Sequence, residues 1–340
     1  MTNRPLGVLL TAGMGTRLRP LTPAVPKSLV PLLNRPLIAY GLELLASMGL
    51  EELVVVTGGG DTRTGPAALA AAPPGVTVTL AEQPEPRGSG DALACVGTAL
   101  DDRPVVVLAV DTLLLGGDLR GQLDAFLRSG TVAWLPLHTT DRPQQMGIAL
   151  LEGDRITALE EKPQQPRSNL ACVGLWLFSA EGVERVRTNP ALTPKGERDL
   201  TSTVAALLDE GRPIGGQAFD GDWLDGGSLV GLLAAQLQLL RDLVATPFEG
   251  VDTTIEGAVA AGEAPRVLHS RLRGPVLLGD RVRIQGCTLG PGVVVGDDAD
   301  LRDVHLERTL VAPGVTLRGG DYHDVLITAA GEVVSVPSPA

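Results

Sequence analysis

Aromatic residues are nearly missing from this chain: three Trp, two Tyr and four Phe serve 340 residues. With 44% of the chain hydrophobic, its core must be built from Leu, Val and Ala. Cysteine is equally sparse. Cys95, Cys172 and Cys287 are odd in number and lack metal-ligand spacing, which argues against a disulfide framework or a zinc site and fits a reducing, cytoplasmic compartment. The opening MTNRPLGVLLTAG carries an apolar run too short for a signal segment or a membrane span. Clusters of basic residues are also absent. A net charge of -12 excludes a nucleic-acid or membrane surface as the expected partner, because phosphate backbones and anionic lipids attract Lys/Arg clusters. Any anionic substrate must then be held by local cations.

Lysine is the scarcest cation. Of 28 basic residues all but Lys27, Lys162 and Lys195 are arginine. An ammonium is a compact point charge on a flexible stem and a guanidinium a wide planar fork, so a crowded phosphate site can require the first.

Length predicts two domains, since single cores rarely grow beyond about 250–300 residues. Short apolar runs such as GVLLTAG, LVVVTG and PVVVLAVD alternate with longer amphipathic ones such as LIAYGLELLASMG, the pattern of parallel strands joined by helical crossovers. The continuous apolar character of LVVVT and VVVLAV matches strands covered on both faces, as in a doubly wound α/β sheet. Ligands of such sheets sit beyond the carboxyl ends of strands, where TAGMGTR and Asp111 fall. From about residue 131 further strands follow, with a hairpin-like turn at EGD, and residues 228–244 carry helical apolar spacing that is expected to close a domain spanning 1–245. A polar, glycine-rich stretch at 246–265 reads as a linker. Residues 266–335 repeat a short aliphatic period with Gly, Asp and Pro at the corners, as in LLGDRV, TLGPGV, VVGDDA and LVAPGV, which predicts a short hexapeptide-repeat, left-handed parallel β-helix. An oligomerisation or packing role suits it, and nothing in the sequence assigns chemistry to His269, His305 or His323.

The stretch LLTAGMGTRLRPLTPAVPKSLVP carries the strongest chemical signal. A strand turns through Gly13 and Gly15, where missing side chains let backbone N–H groups approach an anion. Arg17 stands beside the loop and Lys27 follows a proline-framed return, giving a phosphate cradle with two cations. It is neither a Walker loop, since no GK[ST] follows, nor a dinucleotide GxGxxG.

The run GxGTRLxPLT followed by PK resembles the signature of the sugar-phosphate nucleotidyltransferases. The likeness continues through EQPEPRG, AVDT, EEKPQQPRSN, PKGERDLTS and DWLDGGS, and a β-helical tail marks the long-chain form of the family. It implies a Rossmann-like nucleotidyltransferase fold with a mixed sheet, and nucleotidyl transfer from a nucleoside triphosphate, most simply dTTP, to a sugar 1-phosphate, most simply glucose 1-phosphate. Synthesis of UDP-, GDP- or ADP-sugars is the alternative within the class, and a non-catalytic nucleotide-sugar-binding regulator the alternative outside it. The resemblance implies Arg17 and Lys27 as catalytic cations, Gly13, Gly15, Gln83 and Gly88 at the nucleotide, and Gly147, Glu161, Lys162 and Lys195 at the sugar phosphate. Asp111 and Asp225 would hold Mg2+, which prefers oxygen ligands and substrate phosphates. The amide of Gln83 offers C=O and NH2 to the N3–H and O4 of thymine or uracil. Two departures stand out: Val110 and Thr112 flank Asp111 where the family carries Gly and Asn, and Ser202 replaces an aspartate.

Overall fold

The computed structural model describes residues 4–189, 193 and 196–337. The chain divides into two compact units. The first comprises residues 1–14, 26–29 and 38–223, the second 15–25, 30–37 and 224–340.

The first unit is built on a mixed ten-stranded sheet. Leu6–Leu10 runs parallel to Glu52–Gly58 on one side and to Val105–Ala109 on the other, and Thr77–Gln83 extends the parallel half. All five residues of Leu6–Leu10 are buried, as expected of a strand covered on both faces. In the other half, Leu175–Phe178 is antiparallel to both Val105–Ala109 and Ala133–Thr139. Gly147–Glu152 and Arg155–Glu161 form a hairpin whose turn is Gly153–Asp154, with Gly153 at the positive φ of 61° that a tight turn demands. The EGD turn expected from sequence is therefore present. Three of the helices between strands start at a polar side chain that caps them: Asp118 accepts from Gly121 N, Ser179 from Gly182 N and Asp199 from Ser202 N. As the composition required, the core of this unit is mostly aliphatic, including Val8, Val56, Val107 and Leu135, with Phe178 and Trp176 among its few aromatics.

The second unit contains a coil of short parallel strands. Val259, Val276 and Val293 are successive register partners, so one coil takes 17 residues. Arg266–Leu268, Arg283–Gln285, Asp300–Arg302 and Thr316–Arg318 stack on another face. A third face carries the ladder Ile255, Leu272, Leu289, Leu306 and Tyr322. Leu272, Ile284 and Leu301, the middle residues of their strands, are buried, as a hollow prism filled by aliphatics requires, whereas Ile255 in the first coil is exposed. Two boundaries differ from the sequence reading. Thr254–Glu256 and Val259–Ala261, inside the expected linker, already pair with the coil, so stacking begins before residue 266. The helix Leu229–Leu239 groups with the coil and not with the sheet unit: its buried Gln236 donates to Thr309 O at 3.4 Å.

Truncating the fully buried Leu289 tests the prism directly. Leu289→Ala is expected to destabilise the coil by about 2–5 kcal/mol, read as an earlier denaturant midpoint, whereas Arg271→Ala on the exposed face should stay within about 0.5 kcal/mol.

Candidate active site

Three parallel strands end at one cavity. Leu10, Gln83 and Ala109, the last residues of Leu6–Leu10, Thr77–Gln83 and Val105–Ala109, line a space of about 240 Å3 together with Gly13, Lys27, Gly88 and Asp111. This is where parallel α/β sheets place ligands, because crossovers leave a crevice outside the strand carboxyl ends. The ammonium of Lys27 is in direct, short contact with Asp111 Oδ2, and the two side chains are only 13% and 16% exposed. A cation and a carboxylate thus face one another in a largely desolvated pocket.

Gln83 is 3% exposed, and its amide donates to Gly88 O at 3.0 Å and to Asp91 Oδ2 at 2.9 Å. Both partners accept only, so the NH2 must face them and both its hydrogens are committed. What remains for a base is the Gln83 carbonyl, an acceptor; the two-pronged amide contact expected from sequence is reduced to one. Gly88 holds φ +104°, and a Cβ there would lie 2.3 Å from Arg198 O. The loop needs glycine because Arg198 clamps it: Arg198 N donates to Arg87 O and Gly90 N to Arg198 O, at 2.8 and 2.9 Å. At Gly13, by contrast, a Cβ would meet nothing within 4 Å. Packing within the chain therefore does not require glycine there.

A second cavity, about 560 Å3, adjoins the first and shares Ser89 and Glu197 with it. Its lining includes Gly147, Glu161 and Lys162. Gly147 and Glu161 are register partners, and a Cβ on Gly147 would come within 3.1 Å of Glu161 Oε2. Lys162, at φ 46°, leaves the strand and sets its Nζ 3.5 Å from Glu161 Oε1. Cys172 also lines this cavity; burial, and then the Glu161 carboxylate, push its thiol up to about 12.

Gly15, Arg17 and Asp225 belong to the second unit. Gly15 takes φ 59° ahead of the short 3-10 helix Thr16–Leu18, and Arg17 lies 3.7 Å from Asp225 Oδ2. Asp225 Oδ1 accepts from Gly227 N at 2.8 Å. The following helix is capped by Ser228, so Asp225 is not consumed as its cap. Lys195 lies outside the described residues.

The structure therefore groups Gly13, Lys27, Gln83, Gly88 and Asp111 in one cavity, Gly147, Glu161 and Lys162 in the next, and Gly15, Arg17 and Asp225 in the second unit. Sequence reasoning missed Ser89 and Glu197, the walls common to both cavities. Glu197 sits in the quoted GERDL segment, but its place depends on a backbone contact with a loop more than a hundred residues away. The two departures are accommodated locally. Val110 is buried in the first cavity wall, and Thr112 is accommodated by Gly174, where an added Cβ would lie 2.4 Å from Thr112 Oγ1. Ser202 is turned onto Asp199, its N–H and hydroxyl both donating to that carboxylate.

A parallel-sheet crevice with a cation–carboxylate pair thus adjoins a second, larger cavity that carries Glu161 and Lys162. Comparison with known proteins gives the family. Residues 6–242 match the family described as Nucleotidyl transferase. A glucose-1-phosphate thymidylyltransferase of Streptomyces antibioticus is 32% identical over 323 residues, covering 92% of this chain and 88% of its own length. A low-salt glycan biosynthesis nucleotidyltransferase of Haloferax volcanii is 32% identical over 315 residues, with 90% and 87% covered. The fold resembles a solved UDP-glucose pyrophosphorylase from Acinetobacter baumanii, with a TM-score of 0.62 and 23% identity over 70% of this chain and 94% of that one. The chain belongs to the nucleotidyl transferase family and is a nucleotidyltransferase of the sugar-1-phosphate type. Among the described residues no helix is long and apolar enough to cross a membrane.

Two predictions follow from the geometry. Gly88→Ala must either shift the Arg198 backbone or distort the loop, a cost of about 1–3 kcal/mol, and should weaken nucleotide binding in a titration while leaving the coil intact. Cys172 should remain a neutral thiol at pH 8, so iodoacetamide should leave its peptide unmodified in the folded protein and alkylate it after denaturation. Because folding raises this pKa above the ordinary value of 9.0, the folded state retains a proton that the unfolded state loses. The stability associated with Cys172 is thus present below pH 9 and declines as pH rises towards about 12.

Proposed function

We propose that this chain transfers a thymidylyl group from dTTP to glucose 1-phosphate, forming dTDP-glucose and releasing pyrophosphate. The observation that carries this reading is the shared wall: two adjoining cavities within one unit, one with the Lys27–Asp111 pair and one with Glu161 and Lys162, meet at Ser89 and Glu197. Two anionic substrates seated there would be neighbours. The Streptomyces relatives bearing the thymidylyltransferase name support the choice of nucleotide and sugar.

In this reading an oxygen of the sugar phosphate attacks the α-phosphorus in line. The bond from that phosphorus to the bridging oxygen breaks, and pyrophosphate departs with the electron pair. No protein nucleophile is needed, so the chain contributes positioning and charge neutralisation. Lys27 meets the nucleotide phosphates, Arg17 the departing pyrophosphate, Lys162 and Lys195 the sugar phosphate, and Gly147 with Glu161 the sugar hydroxyls. Asp111 in the first unit and Asp225 in the second each offer the oxygen donors that Mg2+ prefers, and Mg2+ would there compete with the Lys27 and Arg17 cations they face. When bound, Mg2+ would neutralise charge on the phosphates. The C-terminal coil is read as a left-handed β-helix suited to packing or self-association, and the enzyme as cytoplasmic.

One observation favours a second reading. With the NH2 of Gln83 committed, its carbonyl can accept the N3–H of uracil as readily as that of thymine, so UTP is the nearest competitor.

Pyrophosphate release should be measured with Mg2+ across dTTP, UTP, GTP, ATP and CTP, each against glucose, mannose and N-acetylglucosamine 1-phosphates. The dTTP and glucose 1-phosphate pair is expected to lead. Lys27→Ala and Asp111→Ala should each lower kcat/KM by about 100-fold or more, and Lys162→Ala should act mainly on the KM for the sugar phosphate. A lead by UTP would reassign the product to a UDP-sugar. Binding of nucleotide sugars without turnover of any pair would make the chain a regulator.

A further inference from the structure

Two of the chain's four histidines meet on the C-terminal coil, away from any residue given a role above. The strands His305–Val311 and Asp321–Ile327 are parallel, with His305 opposite Asp321 and Glu307 opposite His323. Residues two apart on a strand share a face, and the intervening Leu306 is fully buried, so the two histidines and two carboxylates form an alternating square on the outer surface. His305 Nδ1 lies 3.3 Å from Asp321 Oδ1, and His323 Nδ1 lies 3.5 Å from Glu307 Oε2. The imidazole centroids are 5.1 Å apart and nearly perpendicular, at 85°. One ligand atom from each of His305, Asp321 and His323 falls within 4.8 Å of the others.

We propose that this square binds a divalent transition-metal ion, of which Zn2+ is the best match, through His305, Asp321 and His323. Two imidazoles select such an ion over Mg2+ or Ca2+, which prefer oxygen. Two ligands bonded at about 2.0–2.1 Å in a tetrahedron sit about 3.4 Å apart, close to the His305–Asp321 separation. Glu307 has the role of an outer partner: Arg308 holds one of its oxygens, and the other faces His323 Nδ1, which leaves Nε2 of that ring for the metal. Three protein ligands leave a fourth position for water or for a group from another molecule. Earlier coils do not repeat the site, since Arg271 and Thr288 occupy the His305 column. The proposal does not depend on the reading of the catalytic site.

The test uses the full chain, stripped with EDTA and kept in excess Mg2+ so that oxygen sites are filled. Co2+ is titrated and its d–d absorption recorded, followed by competition with Zn2+. One Co2+ per chain with the intense absorption of a four-coordinate ion, bleached by one equivalent of Zn2+, is expected. His305→Ala and His323→Ala should each weaken binding by about tenfold or more, with unchanged circular dichroism because both side chains are surface groups. His269→Ala and Asp111→Ala should leave the titration unchanged. Wild-type titrations from both cluster variants, or loss of the signal in Asp111→Ala, would overturn the assignment and leave the square as ordinary surface ion pairs.

Discussion

The contact between the Lys27 ammonium and the Asp111 carboxylate is the constraint on which the first cavity depends. Both side chains are largely withdrawn from water, so neither charge is tolerable alone, and removing one partner of such a pair typically costs about 3–5 kcal/mol. The pair fixes the Pro26–Leu29 segment against the end of the strand Val105–Ala109, since each residue must come to the other. In a chain of net charge -12 the ammonium also offsets the Asp111 carboxylate, which alone would add to the field that repels an anion. The cation here is a compact ammonium and not the broad guanidinium used almost everywhere else in the chain. The Arg17–Asp225 pair is of another kind: its side chains are 66% and 41% exposed at 3.7 Å, the range in which an ion pair contributes little to stability.

Around the pair, the site is made by what is left out as much as by what is present. Gly88 makes room for the Arg198 carbonyl, at a distance that a methyl group would forbid, and Gly147 lets the Glu161 carboxylate lie where a methyl group would push it aside by a few tenths of an ångström. Thr112 relies on Gly174 in the same way. These are steric conditions on the backbone, met before any substrate arrives, and catalysis by positioning requires such preorganisation.

Much of this was legible in the sequence because local chemistry dictated it. Continuous apolar runs announced the buried parallel strands, and the scarcity of lysine singled out Lys27 and Lys162, each of which lines a cavity. Repeated aliphatics with turn residues announced the coil. What could not be read was anything fixed by distant contact. Glu197 and Ser89 are walls only because residues 197–200 pair with residues 87–90. The first coil reads as a linker because its strands are three residues long and Thr254–Glu256 is exposed throughout, with Ile255 41% accessible, so no apolar period stands out. Residues 15–25 and 30–37 fold with a unit whose remainder starts some two hundred positions later, a grouping invisible to any window along the chain. The spent amide hydrogens of Gln83 likewise follow from Asp91 and the Gly88 carbonyl, not from the residue type.

The backbone bridge between Arg198 and the loop Arg87–Gly90 has one more consequence. Because Ser89 and Glu197 face both cavities, the two substrates would lean on a single stretch of main chain. Whatever ordering of that stretch the first arrival imposes is ordering the second no longer has to supply. By linkage any such gain would be reciprocal, each substrate raising the affinity for the other by the same factor, so under the proposed function the bridge would couple recognition of the nucleotide to recognition of the sugar without any moving part.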